Sequence, residues 1–233
     1  MALTAIRKED KEPFEMPVTP ALPAVKSPFL KMMAKLLSFV FHPLFIPIYV
    51  FVWMYFRFPT QFAGMDQHTF NIRAFGVFWT TAFFPDFVVF ILWRLKMISS
   101  IKMESSKERI IPYVATMFFY WWMWYLSRNF TDQALALKFF YFGIFLATVP
   151  GLILNNFFKI SMHGMAMGGL LAAVLLTIYS YHIYLGLDVA VVTIIAGLVL
   201  TARLSLGAHN SFEVYTGFFV GVLCQLIAYW VMM

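Results

Sequence analysis

Seven long apolar runs, separated by short polar links, dominate the pattern of hydrophobic and polar positions along the chain. The runs cover residues 36–56, 74–93, 110–126, 139–158, 164–185, 189–202 and 214–233. A hydrocarbon core of ~30 Å needs about 20 helical residues, so most of the runs are long enough to cross a bilayer. None of them alternates apolar and polar residues as the strands of a membrane barrel do. The pattern predicts an all-α fold, a polytopic transmembrane bundle with about seven spans.

The composition favours a surface that contacts lipid. Of the 233 residues, 62% are hydrophobic and 12% are charged, whereas a soluble domain has about 25% charged residues. The net charge of +6 is not gathered in a basic domain outside the apolar runs, so we expect membrane lipids and no nucleic acid as partners. The single cysteine, Cys224, allows neither a disulfide framework nor a zinc motif.

The polar start of the chain differs from the rest. Residues 1–30 combine mixed charge with several prolines, so we expect a flexible N-terminal tail before a single transmembrane domain over residues 31–233. The tail lacks the compact apolar run of a signal peptide, and insertion is expected to depend on the first span. In two runs, small residues recur at a spacing that permits close helix packing but also occurs by chance: Gly164 with Gly168, and Gly217 with Gly221.

Basic residues are distributed unevenly between the two sides of the predicted bundle. With seven spans, 13 of the 17 Lys and Arg residues fall on the side of the N-terminal tail and 4 on the other. Cytoplasmic loops carry an excess of basic residues. The distribution predicts that the tail side is cytoplasmic, in a multi-pass protein of the bacterial plasma membrane.

Three returns of the chain to the tail side carry the polar residues that we select as candidates. Helical hairpins separate the three segments, so all of them emerge on one membrane face. The segments are IKMESSKERIIP with Lys102 and Arg109, KISMHGMAMGG with Ser161 and His163, and ARLSLGAHNSFEVYTG with Arg203, His209 and Glu213.

This set of residues suits phosphoryl transfer. Lys102, Arg109 and Arg203 supply fixed cations for phosphate oxygens. The hydroxyl of Ser161 and the amide of Gly164, at the start of a helix, add neutral donors. This chemistry requires no metal or other cofactor, and the sequence has no paired carboxylate cluster to bind a metal.

The two imidazoles and the carboxylate complete this chemistry. An imidazole attacks phosphorus to form a phosphohistidine, and His209 is the candidate. Glu213 lies one helical turn after it and is expected to fix its tautomer. His163 is expected to protonate the leaving alkoxide.

The three segments resemble the type 2 phosphatidic acid phosphatase (PAP2) superfamily, which carries K-x6-RP, PSGH and SR-x5-H-x3-D in that order. Lys102 and Arg109 match the first motif, Ser161 and His163 the second, and Arg203 and His209 the third. The resemblance extends over residues 102–221. It implies a PAP2-like helical core, metal-independent hydrolysis of a lipid phosphate or diphosphate, and an active face that in this family is usually extracytoplasmic.

Several motif positions depart from the family pattern. The substituted residues are Ile110 for Pro, Ile160 and Met162 for Pro and Gly, Ala202 for Ser, and Glu213 for Asp. One alternative function is therefore a lipid-phosphate-binding or scaffold protein without turnover. A small anion or lipid transporter is a weaker alternative, because the charges lie at helix ends instead of the midplane and no repeat pairs the two halves.

Ionisable residues also occur inside the apolar runs. Asp86 lies within the second run. An acid inside a span either positions the residues that bind the ligand or forms a hydrogen bond with a Tyr or Trp of a neighbouring helix. We expect His42, next to Pro43, to cap or kink the first helix.

Overall fold

The computed structural model describes residues 25–101, 103 and 106–233, and within them the regular elements are helical and no strand occurs. The predicted all-α fold is confirmed. Short 3₁₀ helices cover Pro43–Phe45 and Pro59–Phe62, and a π-helix covers Trp79–Phe83. The α-helices are α1 (Pro28–Val40), α2 (Ile46–Arg57), α3 (Gln67–Phe78), α4 (Phe84–Arg94), α5 (Ser106–Asn129), α6 (Leu135–Leu154), α7 (Met162–Tyr181), α8 (Gly186–Ser205) and α9 (Ser211–Met232).

Six stretches of the described chain are long and apolar enough to cross a membrane, as in a multi-pass membrane protein. They are Pro28–Arg57, Gln67–Arg94, Leu135–Leu154, Met162–Tyr181, Gly186–Ser205 and Ser211–Met232. Helix α5 is not one of them, although it has 24 residues. Its first turns hold Lys107, Glu108 and Arg109, and its centre is rich in Trp and Tyr, which are less apolar than Leu or Phe.

The first two apolar runs differ from continuous helices. Pro43 and Pro47 each lie in the first turn of a new helix, where the missing N–H of proline is tolerated. The first apolar run is therefore divided between α1, which ends at Val40, and α2. In the second run, α3 begins earlier than the apolar residues do. The Asp66 carboxylate accepts a hydrogen bond from Thr69 N at 2.9 Å and caps a helix that we expected to be a polar link up to residue 73.

The two ends of α1 contact the same end of the bundle. Before the helix, Val25 N donates to Ser205 O at the end of α8, at 3.0 Å. Near its last turn, Ser38 O lies 2.9 Å from His163 Nε2 at the start of α7. Helix α1 therefore contributes to the surroundings of the second and third motifs.

Glycines bring α7 and α9 into backbone contact. A Cβ at Gly164 would lie 2.5 Å from Val214 O, and one at Gly217 would lie 2.6 Å from Ser161 O. Gly168 and Gly221 likewise face backbone of the opposite helix. The close-packing interpretation of the two glycine pairs is confirmed, and this contact places the start of α7 beside the start of α9.

The two ends of the bundle differ in how they hold charge. At one end, the ion-pair end, Arg57 binds Asp188 at 2.9 Å and Arg73 binds Asp132. Arg73 also donates to Gln133 Oε1 at 3.1 Å. At the other end, the cavity end, α5, α7 and α9 begin and α8 ends, and the three motif segments meet.

Candidate active site

A cavity of about 550 Å³ opens at the cavity end of the bundle. It brings together residues that are far apart in the sequence, from α1 to the link between α8 and α9. Its wall combines four cations, three imidazoles and one carboxylate: Lys35, Arg109, Lys159 and Arg203, His42, His163 and His209, and Asp86. Of the described candidates, Arg109, His163, Arg203 and His209 therefore share one cavity, as the topology predicts.

The link between α8 and α9 fixes His209. Gly207 takes a φ of 62°, a left-handed conformation that glycine adopts without strain, and the chain turns there. Asn210 then caps α9 in a capping box, in which its side chain accepts from Glu213 N at 2.9 Å and Glu213 Oε2 accepts from Asn210 N at 3.2 Å. The sequence N-S-F-E carries this signal, which our reasoning on the motif did not use.

The tautomer of His209 follows from its neighbours. Its Nδ1 lies 3.0 Å from Lys159 O and 3.0 Å from Glu213 Oε2. Both oxygens only accept, so Nδ1 carries the proton and donates it. In the neutral ring, Nε2 then holds a lone pair, as a nucleophile requires.

Burial keeps this imidazole neutral. His209 is 8% exposed, and its burial, with the nearby charges of Arg203 and Lys159, lowers its pKa from 6.5 to about 3. The hydrogen bond to Lys159 O acts in the opposite direction and is outweighed. Around neutral pH the Nε2 lone pair is therefore available.

Cationic groups at the cavity outnumber the acids that face them. Arg203 Nε is buried and has no hydrogen-bond partner among the described residues, while Arg109 Nε donates to Met103 O at 2.8 Å. Within the described part of the chain, Asp86 is the one acid in the cavity wall, and Glu213 lies behind His209. A buried cation without an anion is costly, so the wall is suited to an anionic ligand.

His163 lies in the wall beside a second imidazole that our sequence reasoning did not assign to the site. Its Nε2 faces the carbonyl of Ser38 and therefore carries a proton. Its ring centroid lies 5.4 Å from that of His42, with the planes almost perpendicular. His42 also precedes the 3₁₀ helix, as expected of a residue next to Pro43, but its side chain makes no capping bond.

Ser161 and Gly164 do not line the cavity. Ser161 is fully buried, and its Oγ accepts from Gly164 N at 3.2 Å and caps α7. Ser161 N in turn donates to Glu213 O at 3.2 Å. The Gly164 amide predicted to bind phosphate is thus occupied by the Ser161 hydroxyl oxygen, and the two residues belong to the contact between α7 and α9.

The remaining candidates have different outcomes. Lys102 lies outside the described residues. Asp86 lines the cavity and follows the π-helix Trp79–Phe83, a type of insertion that often occurs at functional sites. Lys35 and Lys159 join the wall without any motif to mark them, since only the folded chain brings them to it.

Comparison with known proteins gives no match: no family model, no curated protein and no solved structure is similar to this chain. The resemblance to the PAP2 superfamily therefore rests on the motif residues.

Proposed function

We propose that this chain is a membrane lipid phosphatase with a PAP2-like core, which hydrolyses a lipid phosphate or diphosphate through a phosphohistidine on His209. One observation carries the proposal. A buried imidazole, whose Nδ1 is fixed as a donor, lines a cavity together with Arg109 and Arg203. A nucleophile and cations for the developing phosphate charge are the parts that metal-independent phosphoryl transfer needs.

In the first step, Nε2 of His209 attacks phosphorus, an N–P bond forms, and the bond from phosphorus to the lipid oxygen breaks. Arg109 and Arg203 stabilise the charge that develops on the phosphate oxygens. The substrate enters as the phosphate monoanion, and Nδ1 of neutral His163, whose Nε2 is held by Ser38 O, takes the proton of this phosphate and passes it to the leaving oxygen.

In the second step, water gives a proton to Nδ1 of neutral His163 and its oxygen attacks phosphorus, and the inorganic phosphate that forms takes this proton from His163 as it leaves. The N–P bond breaks and its electron pair returns to Nε2 of His209. The net reaction converts lipid phosphate and water into lipid alcohol and inorganic phosphate. Glu213 and Lys159 O hold the Nδ1 proton of His209 in both steps.

We further propose that α5 crosses the membrane as a seventh span. At ~1.5 Å per residue, its 24 residues reach ~36 Å, enough for the hydrocarbon core. It begins beside the cavity at Arg109 and ends close to Asp132, which pairs with Arg73 at the opposite end. With seven spans, the excess of basic residues assigns the cavity end to the cytoplasmic face of a bacterial plasma membrane.

Sidedness is tested by cysteine labelling. In a Cys224→Ala background, Lys107→Cys at the cavity end and Gln67→Cys at the ion-pair end both replace exposed residues. A membrane-impermeant maleimide added to intact cells is expected to label Gln67→Cys alone. Labelling of Lys107→Cys alone would reverse the assignment, and labelling of both would contradict the span count.

Binding of a lipid phosphate without turnover is the second candidate function. One observation favours it: the amide of Gly164 donates to the Ser161 hydroxyl oxygen, and neither residue lines the cavity. A site that lacks these two donors holds phosphate through its cations alone. This candidate keeps the anion site and removes the hydrolysis.

Release of inorganic phosphate separates the two candidates. Purified protein with a chelator and phosphatidate, phosphatidylglycerophosphate or a polyprenyl diphosphate is compared with His209→Ala. The control is His68→Ala, which removes an exposed imidazole at the ion-pair end. We expect release by wild type and His68→Ala, and none above background by His209→Ala. Binding of the lipids with equal release by wild type and His209→Ala would favour the binding protein.

A further inference from the structure

A second, smaller cavity adjoins the polar one inside the bundle. Its volume is about 60 Å³, and its wall is apolar with several small residues. The wall includes Ile46, Pro47, Ala147, Ala166, Gly169 and Leu170. Four residues line both cavities and so mark the junction between them: Pro43, Tyr113, Thr116 and Met162.

A polar group without a partner lies at the junction. Tyr113 is 3% exposed, and its hydroxyl has no hydrogen-bond partner among the described residues. A buried hydroxyl left unpaired costs ~1–3 kcal/mol, so a group that pairs with it from the cavity is favoured. An ester or ether oxygen, which lies between the phosphate and the hydrocarbon chain of a lipid, is such a group.

A side-chain oxygen without a partner also belongs to a residue that lines the small cavity. Gln225 lines it and is 1% exposed. Its Nε2 donates to Phe140 O at 3.3 Å, but its Oε1 has no partner among the described residues.

We propose that the small cavity binds the first carbons of one hydrocarbon chain of a lipid phosphate, while its phosphate occupies the polar cavity and its linking oxygen contacts the hydroxyl of Tyr113. This inference rests on the proposed phosphate site. The cavity is too small for two chains side by side, so a second chain stays in the bilayer. The site recognises a single-chain phosphate as well as a two-chain one.

Gly169 lines the small cavity and has room for a Cβ. A Cβ at this position would lie 3.8 Å from the nearest atoms, an ordinary contact distance. Gly169→Leu is chosen to reduce the volume of this cavity from α7. Gly197→Leu is the matched control, because Gly197 is exposed on α8 and nothing lies within 4 Å of its Cβ position. Ala147→Leu fills the same cavity from α6 and replaces Gly169→Leu if that variant unfolds.

The test measures binding of methylphosphonate and hexylphosphonate, which are water-soluble and differ only in the chain. Each buried methylene adds about fourfold to affinity, so wild type and Gly197→Leu are expected to bind the hexyl compound at least about tenfold more tightly. Gly169→Leu or Ala147→Leu is expected to bind both compounds equally. Thermal unfolding confirms that each variant is folded.

The possible results separate this inference from the proposed function. Equal binding of both compounds by wild type would overturn the chain site and leave the phosphate site intact. A preference for the hexyl compound that persists in the folded cavity-filling variants would also overturn it. Failure of both compounds to bind wild type in competition with inorganic phosphate would overturn the phosphate site, and the chain site with it.

Discussion

The two ends of the bundle hold arginines in opposite ways. At the ion-pair end, Arg57 binds Asp188 and Arg73 binds Asp132, so each guanidinium has an acid of its own. At the cavity end, Arg203 has an Nε without a partner among the described residues, and Arg109 donates its Nε to a backbone carbonyl. The same side chain therefore stabilises the fold at one end and is left available for a ligand at the other.

The difference in pairing predicts different consequences when an arginine is removed from each end. A paired arginine fixes two helices, and its removal is expected to cost stability. An arginine that faces other cations across a cavity costs stability and gains only when an anion binds. Substitutions at the two ends should therefore separate activity from stability.

The largest effect is expected for Arg203→Gln. This change removes a cation that would stabilise the transferring phosphate, and loss of one such donor lowers kcat by about 10²–10³-fold. Thermal stability should be retained or increased, because repulsion among the cavity cations is relieved. Arg57→Gln at the ion-pair end is the matched control and should keep wild-type phosphate release. A similar loss of activity in both variants would remove the functional distinction between the ends.

The next effect is expected for Glu213→Gln, which separates the two roles of this residue. Gln at this position still completes a capping box, so the melting temperature should change little. The charge that stabilises the positive ring of phosphorylated His209 is lost, and phosphate release should fall on the order of 10²-fold. Asn210→Ala should show the reverse pattern, with a lower melting temperature and a smaller loss of activity. Unchanged release by a folded Glu213→Gln would restrict Glu213 to capping α9.

A smaller effect concerns pH. Attack requires neutral His209, whose pKa is lowered to about 3, so activity should persist as the pH falls below 6.5. Lys159→Gln removes one of the charges that lower this pKa and keeps the backbone carbonyl that holds Nδ1. The acid limb of the pH–rate profile should therefore move to higher pH. Lys138→Gln, near the ion-pair end, should leave the limb in place, and a shift in this control alone would contradict the account.

The smallest effect is expected at the ion-pair end, for Arg73→Gln. The Arg73 guanidinium binds Asp132 and lies over the ring of Phe130, 4.3 Å from its centroid. The pair is partly exposed, so its removal should cost only ~1 kcal/mol and lower the melting temperature by a few degrees. Phosphate release measured below this temperature should equal that of wild type. Lost activity in a folded variant would mean that the two ends are coupled.

Much of the fold follows from the apolar runs. The later runs coincide with α5 to α9 within a few residues, because a helix in lipid must satisfy its backbone internally and its apolar length marks it. The π-helix Trp79–Phe83 and the early start of α3 were not predicted. The π-helix depends on an extra residue in one turn, and the start of α3 depends on a cap by Asp66. The spacing of apolar residues indicates neither feature.

The site was predictable where topology alone decides. Arg109, His163, Arg203 and His209 meet because their segments return to one face. His42 and Lys35 were not predicted to line the cavity. Their position depends on the contact between α1 and the start of α7, which no sequence pattern indicates. Ser161 was placed at the phosphate by its motif, whereas its hydroxyl caps α7.

Trapping of the phosphoenzyme tests the central claim most directly. Protein mixed with a ³²P-labelled lipid phosphate is quenched in alkali, which preserves phosphohistidine, and the labelled residue is identified by mass spectrometry. We predict label on His209, none in His209→Ala, and unchanged labelling in His68→Ala. Label on another residue, or phosphate release by wild type with no labelled intermediate in rapid-quench samples, would contradict the assignment of His209 as the nucleophile.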